Sequence, residues 1–347
     1  MHVADPSHLL AIAFGPPTMA AAVAGFPRIR AEAECAELRL DLFQEPFDLP
    51  VLLRERGDLP VVVTLRPPDQ GGKSPLPPEE RLEVLLHAAA LGAEYVDLEW
   101  KAATPQAISA LHAAGARVVV SRHDFAAMPP ELVDDWWPAL AALGADVVKV
   151  VGTASDVRDC LPILRVLSRE RANVPTVAIA MGEAGLPTRV LALRAEQCFL
   201  TYAAASADSA TAPGQLTARE MRETYRVERL RPGTRVFGLL GPHAEGPRLD
   251  EYNAWFARDD FDAVSVPFKA TADASGIVSA FRELPVAGWH IHGSELQASV
   301  LDALDDLAPA ATRHNKVNGV VRRKDGRLVG YWVESPREQY DVWRTED

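Results

Sequence analysis

Between residue 8 and about residue 228 the chain alternates between two hydrophobic periods. Short runs rich in valine, leucine and alanine read as strands: "LLAIAFG", "AELRLDLF", "PVVVTLR", "EYVDLEW", "ARVVVSRHDF", "ADVVKVVGT", "TVAIAMG" and "CFLTYAA". Between them lie longer stretches of helical period. "PPEERLEVLLHAAALGA" puts Leu82, Leu85 and Leu86 on one face. "TPQAISALHAAGA" and "PELVDDWWPALAALGA" repeat the pattern, and each closes on a Gly-Ala helix stop. Continuous apolar strands alternating with helices predict a parallel sheet buried on both faces. Eight such units in about 220 residues fit a (β/α)8 TIM barrel. A doubly wound open sheet fits less well, because no glycine-rich phosphate loop follows the first strand.

Near residue 229 the pattern changes. "ERLRPGTR" is a basic Pro-Gly connector, followed by "VFGLLG", "DAVSVPF", "GWHIHG" and a hairpin, "NGVVRRKDGRLVGYWV", expected to turn at Asp325-Gly326. With helical stretches between them, these runs predict a second, smaller α/β domain. The expected division is residues 1–228 and 235–347. There is no short-period repeat and no low-complexity tract.

Composition narrows the function. A formal net charge of -12 disfavours a nucleic-acid partner, which needs a basic face. Small anionic substrates stay open, because a few arginines can converge in a pocket whatever the global charge. The three cysteines, Cys35, Cys160 and Cys198, are far apart and make neither a disulfide framework nor a zinc spacing, so a reducing cytoplasm is the expected compartment. The N-terminal stretch lacks a basic region and is interrupted by Pro16 and Pro17, so no signal peptide and no membrane span are expected.

Barrel enzymes of this architecture place their sites at the carboxyl ends of the strands. The polar residues gather there: Glu37, Arg39 and Asp41; Arg66; Asp97 and Glu99; His123 and Asp124; Lys149; and, past later strands, Arg189 and Gln215. Alternation in "ELRLD" sends Glu37, Arg39 and Asp41 to one side and Leu38 and Leu40 to the other. A lysine inside a barrel is desolvated, and neighbouring arginines act in the same direction, so an uncharged Lys149 amine is expected. Such an amine attacks a ketone to form a Schiff base, and the iminium acidifies the adjacent carbon for a histidine to deprotonate. Lys149 as a rim ion-pair partner, His123 as a structural histidine and Arg39–Glu37 as an internal salt bridge are the structural alternatives.

These residues carry a resemblance. "ELRLD", "VTLR…GG", "YVDLE", "SRHDF", "ADVVKV", "MGEAGLPTRV" and "LTYA…TAPGQL" occur in the order and spacing of type I 3-dehydroquinate dehydratases, over about residues 8 to 220. The resemblance implies a (β/α)8 barrel that dehydrates 3-dehydroquinate to 3-dehydroshikimate in the shikimate pathway, with no metal and no organic cofactor. It implies Lys149 as the Schiff-base lysine and His123 as the general acid/base. It also implies Glu37, Arg39 and Arg66 as substrate-binding positions, with Arg189 on the substrate carboxylate. Thr211 and Gln215 match the closing loop, where serine is more usual at the first position. One departure is "RPPDQGG": Gln70 stands where a glutamate near the histidine is expected, and Asp69 is the nearest acidic substitute. An amide can orient a histidine but cannot stabilise its protonated form by charge.

"FGLLG", "YNAWF", "DAVSVPFKA" and "NKVNGVVRRKDGRLVGY" resemble, more faintly, the substrate-binding domain of shikimate dehydrogenases. Plant-type bifunctional enzymes join the two activities in this order. The family's paired serines have no match around "AEGPRLDEYN". Its Thr-x-Pro-His-Lys lysine is read onto Gly293 or Ser294, its aspartate onto Glu334, and Asn318 is retained. The chain ends near "YDVWRTED", where a nucleotide-binding domain is expected to begin. The expectation is a non-catalytic remnant serving dimerisation, for instance in a homodimer, regulation or docking of a separate dehydrogenase. Two further readings compete: a pseudoenzyme or scaffold that binds metabolites of the pathway, and a class I aldolase- or transaldolase-like barrel.

Overall fold

The computed structural model describes residues 8–168, 174–206, 215–242, 247–284 and 286–345. Eight parallel strands run around a barrel: β1 (Leu9–Phe14), β2 (Cys35–Arg39), β3 (Val61–Thr64), β4 (Tyr95–Glu99), β5 (Arg117–His123), β6 (Val147–Thr153), β7 (Thr176–Met181) and β8 (Leu200–Ala203). Their order in space is β7-β6-β5-β4-β3-β2-β1-β8, so every neighbour but one is also a sequence neighbour. The ring is nearly closed. Between β7 and β8 only a short seam is bonded: the Thr176 amide donates to the Gln197 carbonyl (2.8 Å) and the Phe199 amide to the Thr176 carbonyl (2.9 Å).

The intervening helices form where the helical period was read, and local chemistry sets their ends. Thr18 caps the helix Met19–Glu32, its hydroxyl accepting from the Ala21 amide at 3.1 Å, and Thr104 does the same for Pro105–Ala114 through the Ala107 amide. Gly115 ends that helix at φ 109°, a conformation that a side chain would strain. The third stretch departs from expectation. "PELVDDWWPALAALGA" gives a wide turn at Leu132–Trp136 and only a five-residue α-helix, Trp137–Ala141, with Pro138 in its first turn.

Strand alternation makes two cores. Outward residues such as Leu38, Val63, Val96, Val118, Val120, Val148 and Val150 pack under the helices. Inward residues at the amino ends, including Cys35, Val62, Tyr95, Val119, Val147 and Phe199, plug the barrel floor. One or two steps further along the same strands, the inward positions become polar: Glu37, Thr64, Asp97, Ser121 and Lys149, all buried. This is the barrel layering of alternate side chains, with the last layer polar instead of apolar.

The second unit is a six-stranded mixed sheet in the order β10-β9-β11-β13-β14-β12. Its strands are β9 (Arg235–Gly241), β10 (Ala263–Lys269), β11 (Val286–Ile291), β12 (Asp306–Leu307), β13 (Gly319–Arg322) and β14 (Leu328–Tyr331). β13 and β14 form the expected hairpin, with the Gly326 amide donating to the Arg323 carbonyl. Phe237, Tyr252, Phe256, Tyr340 and Trp343 make an aromatic core on one face. No helix among the described residues is long and apolar enough to cross a membrane.

Candidate functional site

Lys149 sits at the centre of the barrel mouth. Its Nζ is 3.2 Å from both oxygens of Glu37, 3.0 Å from Asp97 Oδ2 and 3.0 Å from the Tyr202 hydroxyl. Arg66 Nη2 bridges the same two carboxylates, donating to Glu37 Oε1 at 2.8 Å and Asp97 Oδ2 at 3.0 Å. Thr64 donates to Glu37 (2.9 Å) and Ser121 to Asp97 (2.5 Å). Strands β2, β3, β4, β5, β6 and β8 thus each hold one polar side chain to a common point. Two carboxylates face two cations, which is how buried charges are tolerated.

The electrostatics follow from this pairing. Burial works against ionising Glu37, but Lys149, Arg66 and Arg39 outweigh it and hold the carboxyl well below its usual range. Burial likewise opposes the charge on Arg66, and Asp97 and Glu37 more than restore it. Tyr202 is pushed well above the ordinary phenol range by burial and by the Glu37 charge. Next to the cluster, Glu99 rises to about 7 through burial and the Asp97 charge, against Arg66 and Arg81.

His123 ends β5 at the rim of this cluster. Its Nδ1 is buried with no hydrogen-bond partner among the described residues. Burial, then the Arg66 and Lys149 charges, hold the imidazole well below its usual value, with Glu37 opposing. The ring stacks on Phe125 at 5.8 Å between centroids. Phe125 is 48% exposed and lies against Gly71, whose φ of 76° and missing Cβ leave room for the aromatic ring.

Two expectations about polar partners change. Arg39 does not pair with Glu37: it is bidentate to Asp41 at 2.8 Å for both bonds, and Asp41 also accepts from the Lys73 amide. The chain turns sharply after β2, into Leu40–Leu42, which brings Asp41 back onto Arg39. Gln70 does contact His123, but its Oε1 accepts from the backbone amide (3.1 Å). Its amide end donates to the Asp69 carbonyl. Asp69 itself faces outward and pairs with Lys101 at 2.7 Å. The lysine expected to be surrounded by arginines is instead held mainly by carboxylates.

Arg189 lies on a short helix, Leu186–Leu191, between β7 and β8. It is 2% exposed, and no carboxylate pairs with it among the described residues. Burial alone lowers it to about 10. A buried guanidinium with no carboxylate partner is chemically suited to receive an anion. Its backbone is fixed: Thr201 donates to the Arg189 carbonyl (2.9 Å), and Thr188 accepts from the Ala180 amide (3.0 Å). Gln215 is half-buried at the start of a segment that returns to β8, where the Ala204 amide donates to the Leu216 carbonyl. Thr211 lies outside the described residues.

In the second unit, both ends of the Asn318 amide are used by the Val333 backbone, at 2.8 Å each. Ser294 accepts from Lys316 (2.8 Å) and Glu334 from Trp332 (3.0 Å). The Thr-x-Pro-His-Lys pattern read onto residues 293–294 is met more closely at Ser265–Lys269, "SVPFK", which closes β10 with Lys269. That lysine pairs with Glu183 of the barrel.

Fold and site together define a parallel (β/α)8 barrel protein with a charge-balanced, lysine-centred cluster on the face where such barrels bind ligands. The chain belongs to the type I 3-dehydroquinase family, whose model matches residues 11–232. It is 31% identical over 308 residues to the chloroplastic bifunctional 3-dehydroquinate dehydratase/shikimate dehydrogenase of Arabidopsis thaliana, covering 86% of this chain and 50% of that protein. It is 37% identical over 196 residues to the 3-dehydroquinate dehydratase of Thermococcus gammatolerans, covering 55% and 86% respectively. The solved dehydroquinate dehydratase and shikimate dehydrogenase from S. pombe AroM matches 95% of this chain and 65% of its own, with a TM-score of 0.54 at 22% identity. That of the Geobacillus kaustophilus 3-dehydroquinate dehydratase matches 62% and 88%, with a TM-score of 0.56 at 23% identity. These two likenesses concern the fold. The chain spans half the length of the Arabidopsis relative.

Proposed function

We propose that this chain is a 3-dehydroquinate dehydratase of the shikimate pathway that works through a Schiff base on Lys149. The carrying observation is the position of Lys149 Nζ, 3.0–3.2 Å from two carboxylates and a phenol at the centre of the barrel mouth. The ammonium passes a proton toward the substrate's C3 ketone oxygen, leaving an amine that attacks the C3 carbon. A carbon–nitrogen bond forms, and the ketone oxygen leaves as water. Neutral His123 then takes a proton from C2, and the electron pair moves into the iminium. The resulting enamine expels the C1 hydroxyl, which carries away the His123 proton as water. Hydrolysis of the iminium frees Lys149 and 3-dehydroshikimate. No metal or organic cofactor enters these steps.

Arg189 receives the substrate carboxylate in this reading, because the central cluster already balances its own charges. Arg39 and Arg66 complete the polar wall, and Thr211 and Gln215 keep the closing role that the resemblance implies. The second sheet, as we read it, has no dehydrogenase chemistry of its own, although it keeps the motif lysine as Lys269, which pairs with Glu183 of the barrel. Asn318 is occupied by Val333, and Glu334 stands where an aspartate is expected. The free, buried thiols of Cys35, Cys160 and Cys198 suit a reducing compartment.

The test is an ultraviolet time course with purified protein and 3-dehydroquinate, following the conjugated enone acid. A rise that vanishes in Lys149→Ala, together with borohydride-dependent attachment of substrate to Lys149, supports the reading. A flat trace from folded wild-type protein rejects catalysis and turns the question to metabolite binding.

A further inference from the structure

The segment after β7 carries the anion-binding Arg189 and also touches the second sheet. Residues Glu183–Gly185 make one tight turn and lead directly into the helix 186–191. Every residue of that helix is buried, against β7 and β8 on one side and β10 on the other. Lys269, the last residue of β10, pairs with Glu183 at the start of this segment.

The loop after β6 is engaged in the same way. Arg158 is gripped by Asp156 at 2.8 and 2.9 Å and reaches across to Asp273 of the second unit at 2.6 Å. The two loops are joined to each other, the Ala154 amide donating to the Met181 carbonyl (2.8 Å). A third pair between the units, Arg165–Glu283, lies on the outer helix Cys160–Leu167 rather than on a loop of the barrel mouth. Two of the loops that frame the site therefore carry ion pairs to the second unit, while Arg165–Glu283 and the Arg226–Ala263 hydrogen bond lie away from the barrel mouth.

We infer that the second sheet is a positioning element of the barrel site: the Lys269–Glu183 pair holds the segment 183–191 where Arg189 meets the substrate carboxylate. Lys269 and Glu183 are positioning residues and touch no reacting atom. The inference rests on the dehydratase reading for its substrate, but it makes a separate statement about anion affinity.

The experiment reverses the pair in the full chain. Lys269→Glu and Glu183→Lys are each expected to raise KM for 3-dehydroquinate about two- to fivefold, the range for an exposed pair, with kcat unchanged. The Kd for quinate, a carboxylate probe that needs no turnover, is expected to rise in parallel. The double reversal restores both values. Glu283→Arg is expected to lower the melting temperature without moving KM or Kd. If a single reversal fails to fold, Lys269→Met removes the charge alone and is expected to move Kd in the same direction. Unmoved KM and Kd in the single variants overturn the inference. So does a double variant no better than the singles, or a Glu283→Arg variant that shifts Kd as much as Lys269→Glu. Wild-type protein without turnover, whose quinate Kd still follows the pattern, rejects the dehydratase reading and keeps the positioning role. Wild-type protein that neither turns over nor binds quinate rejects both.

Discussion

Replacing Lys149 by methionine tests the charge balance of the site independently of catalysis. The lysine, Glu37 and Asp97 are 3%, 3% and 0% exposed, so water cannot substitute for the lost ammonium. Arg66 alone then faces two carboxylates. Breaking a buried pair by removing one partner costs about 3–5 kcal/mol, because a charge is left uncompensated. One carboxylate escapes that cost by taking up a proton, so its folded-state pKa rises above its unfolded value. A carboxyl with a raised folded pKa binds more protons folded than unfolded, and stability then falls as pH rises.

The wild type behaves oppositely at Glu37, whose depressed value gives stability that is present above the ordinary 4.5 and lost on acidification. The gap between the two proteins is therefore widest near pH 8, at about 3–5 kcal/mol. It narrows toward pH 5, by up to about 1.4 kcal/mol for each pH unit crossed. Glu99 is present in both proteins, so its own titration largely cancels in the difference. Urea unfolding at pH 5.5 and 8.0 measures the gap, and adding Glu37→Gln should close most of it. A gap independent of pH, or a double variant less stable than the single, would show that the cluster is not held together by charge balance.

The remaining predictions concern activity. Because His123 is held neutral well below 6.5, the acid limb of kcat/KM should lie below that value; a step near pH 7 reports Glu99 and should vanish in Glu99→Gln. Arg189→Ala should lower kcat/KM by about 10- to 100-fold, the worth of a charge-assisted hydrogen bond, with lysine at this position recovering only part because it lacks the planar fork. Gln70→Glu places a carboxylate beside the His123 backbone and should move the acid limb upward in a pH–rate profile.

Alternation within strands made much of this site legible. In "ELRLD" period two sent Glu37 to the side of the barrel interior, and the placement of His123 and Lys149 at strand ends gathered them at the same mouth. Alternation states which side a residue takes, not whom it meets there. Asp97 was visible at a strand end but gave no sign of completing the Lys149 cage, and Tyr202 passed as one more apolar residue in "CFLTYAA". Of the alternatives left open in the sequence, an Arg39–Glu37 salt bridge is not formed, and the Asp41 partner was hidden because the turn at Leu40–Leu42 lies beyond any strand pattern. The contact of Gln70 with a backbone amide, not the ring, is set by a loop whose path no periodicity encodes. In the second unit the lysine motif was read one strand too late, since "SVPFK" ends β10 without any break in hydrophobicity.

The short seam between β7 and β8 has a mechanical consequence. Where the backbone ladder is thin, polar side chains cross it like rivets: Lys149 on β6 reaches Tyr202 on β8, and Thr201 on β8 holds the Arg189 carbonyl beyond β7. The groups proposed to meet the substrate are thus also fasteners of the ring. A ligand that takes Lys149 away from Tyr202 loosens one fastener, while an anion on Arg189 tightens the region beside another. Occupancy of the pocket and stiffness of the hoop become one variable, and amide exchange at Thr176 and Phe199 is where that variable can be read.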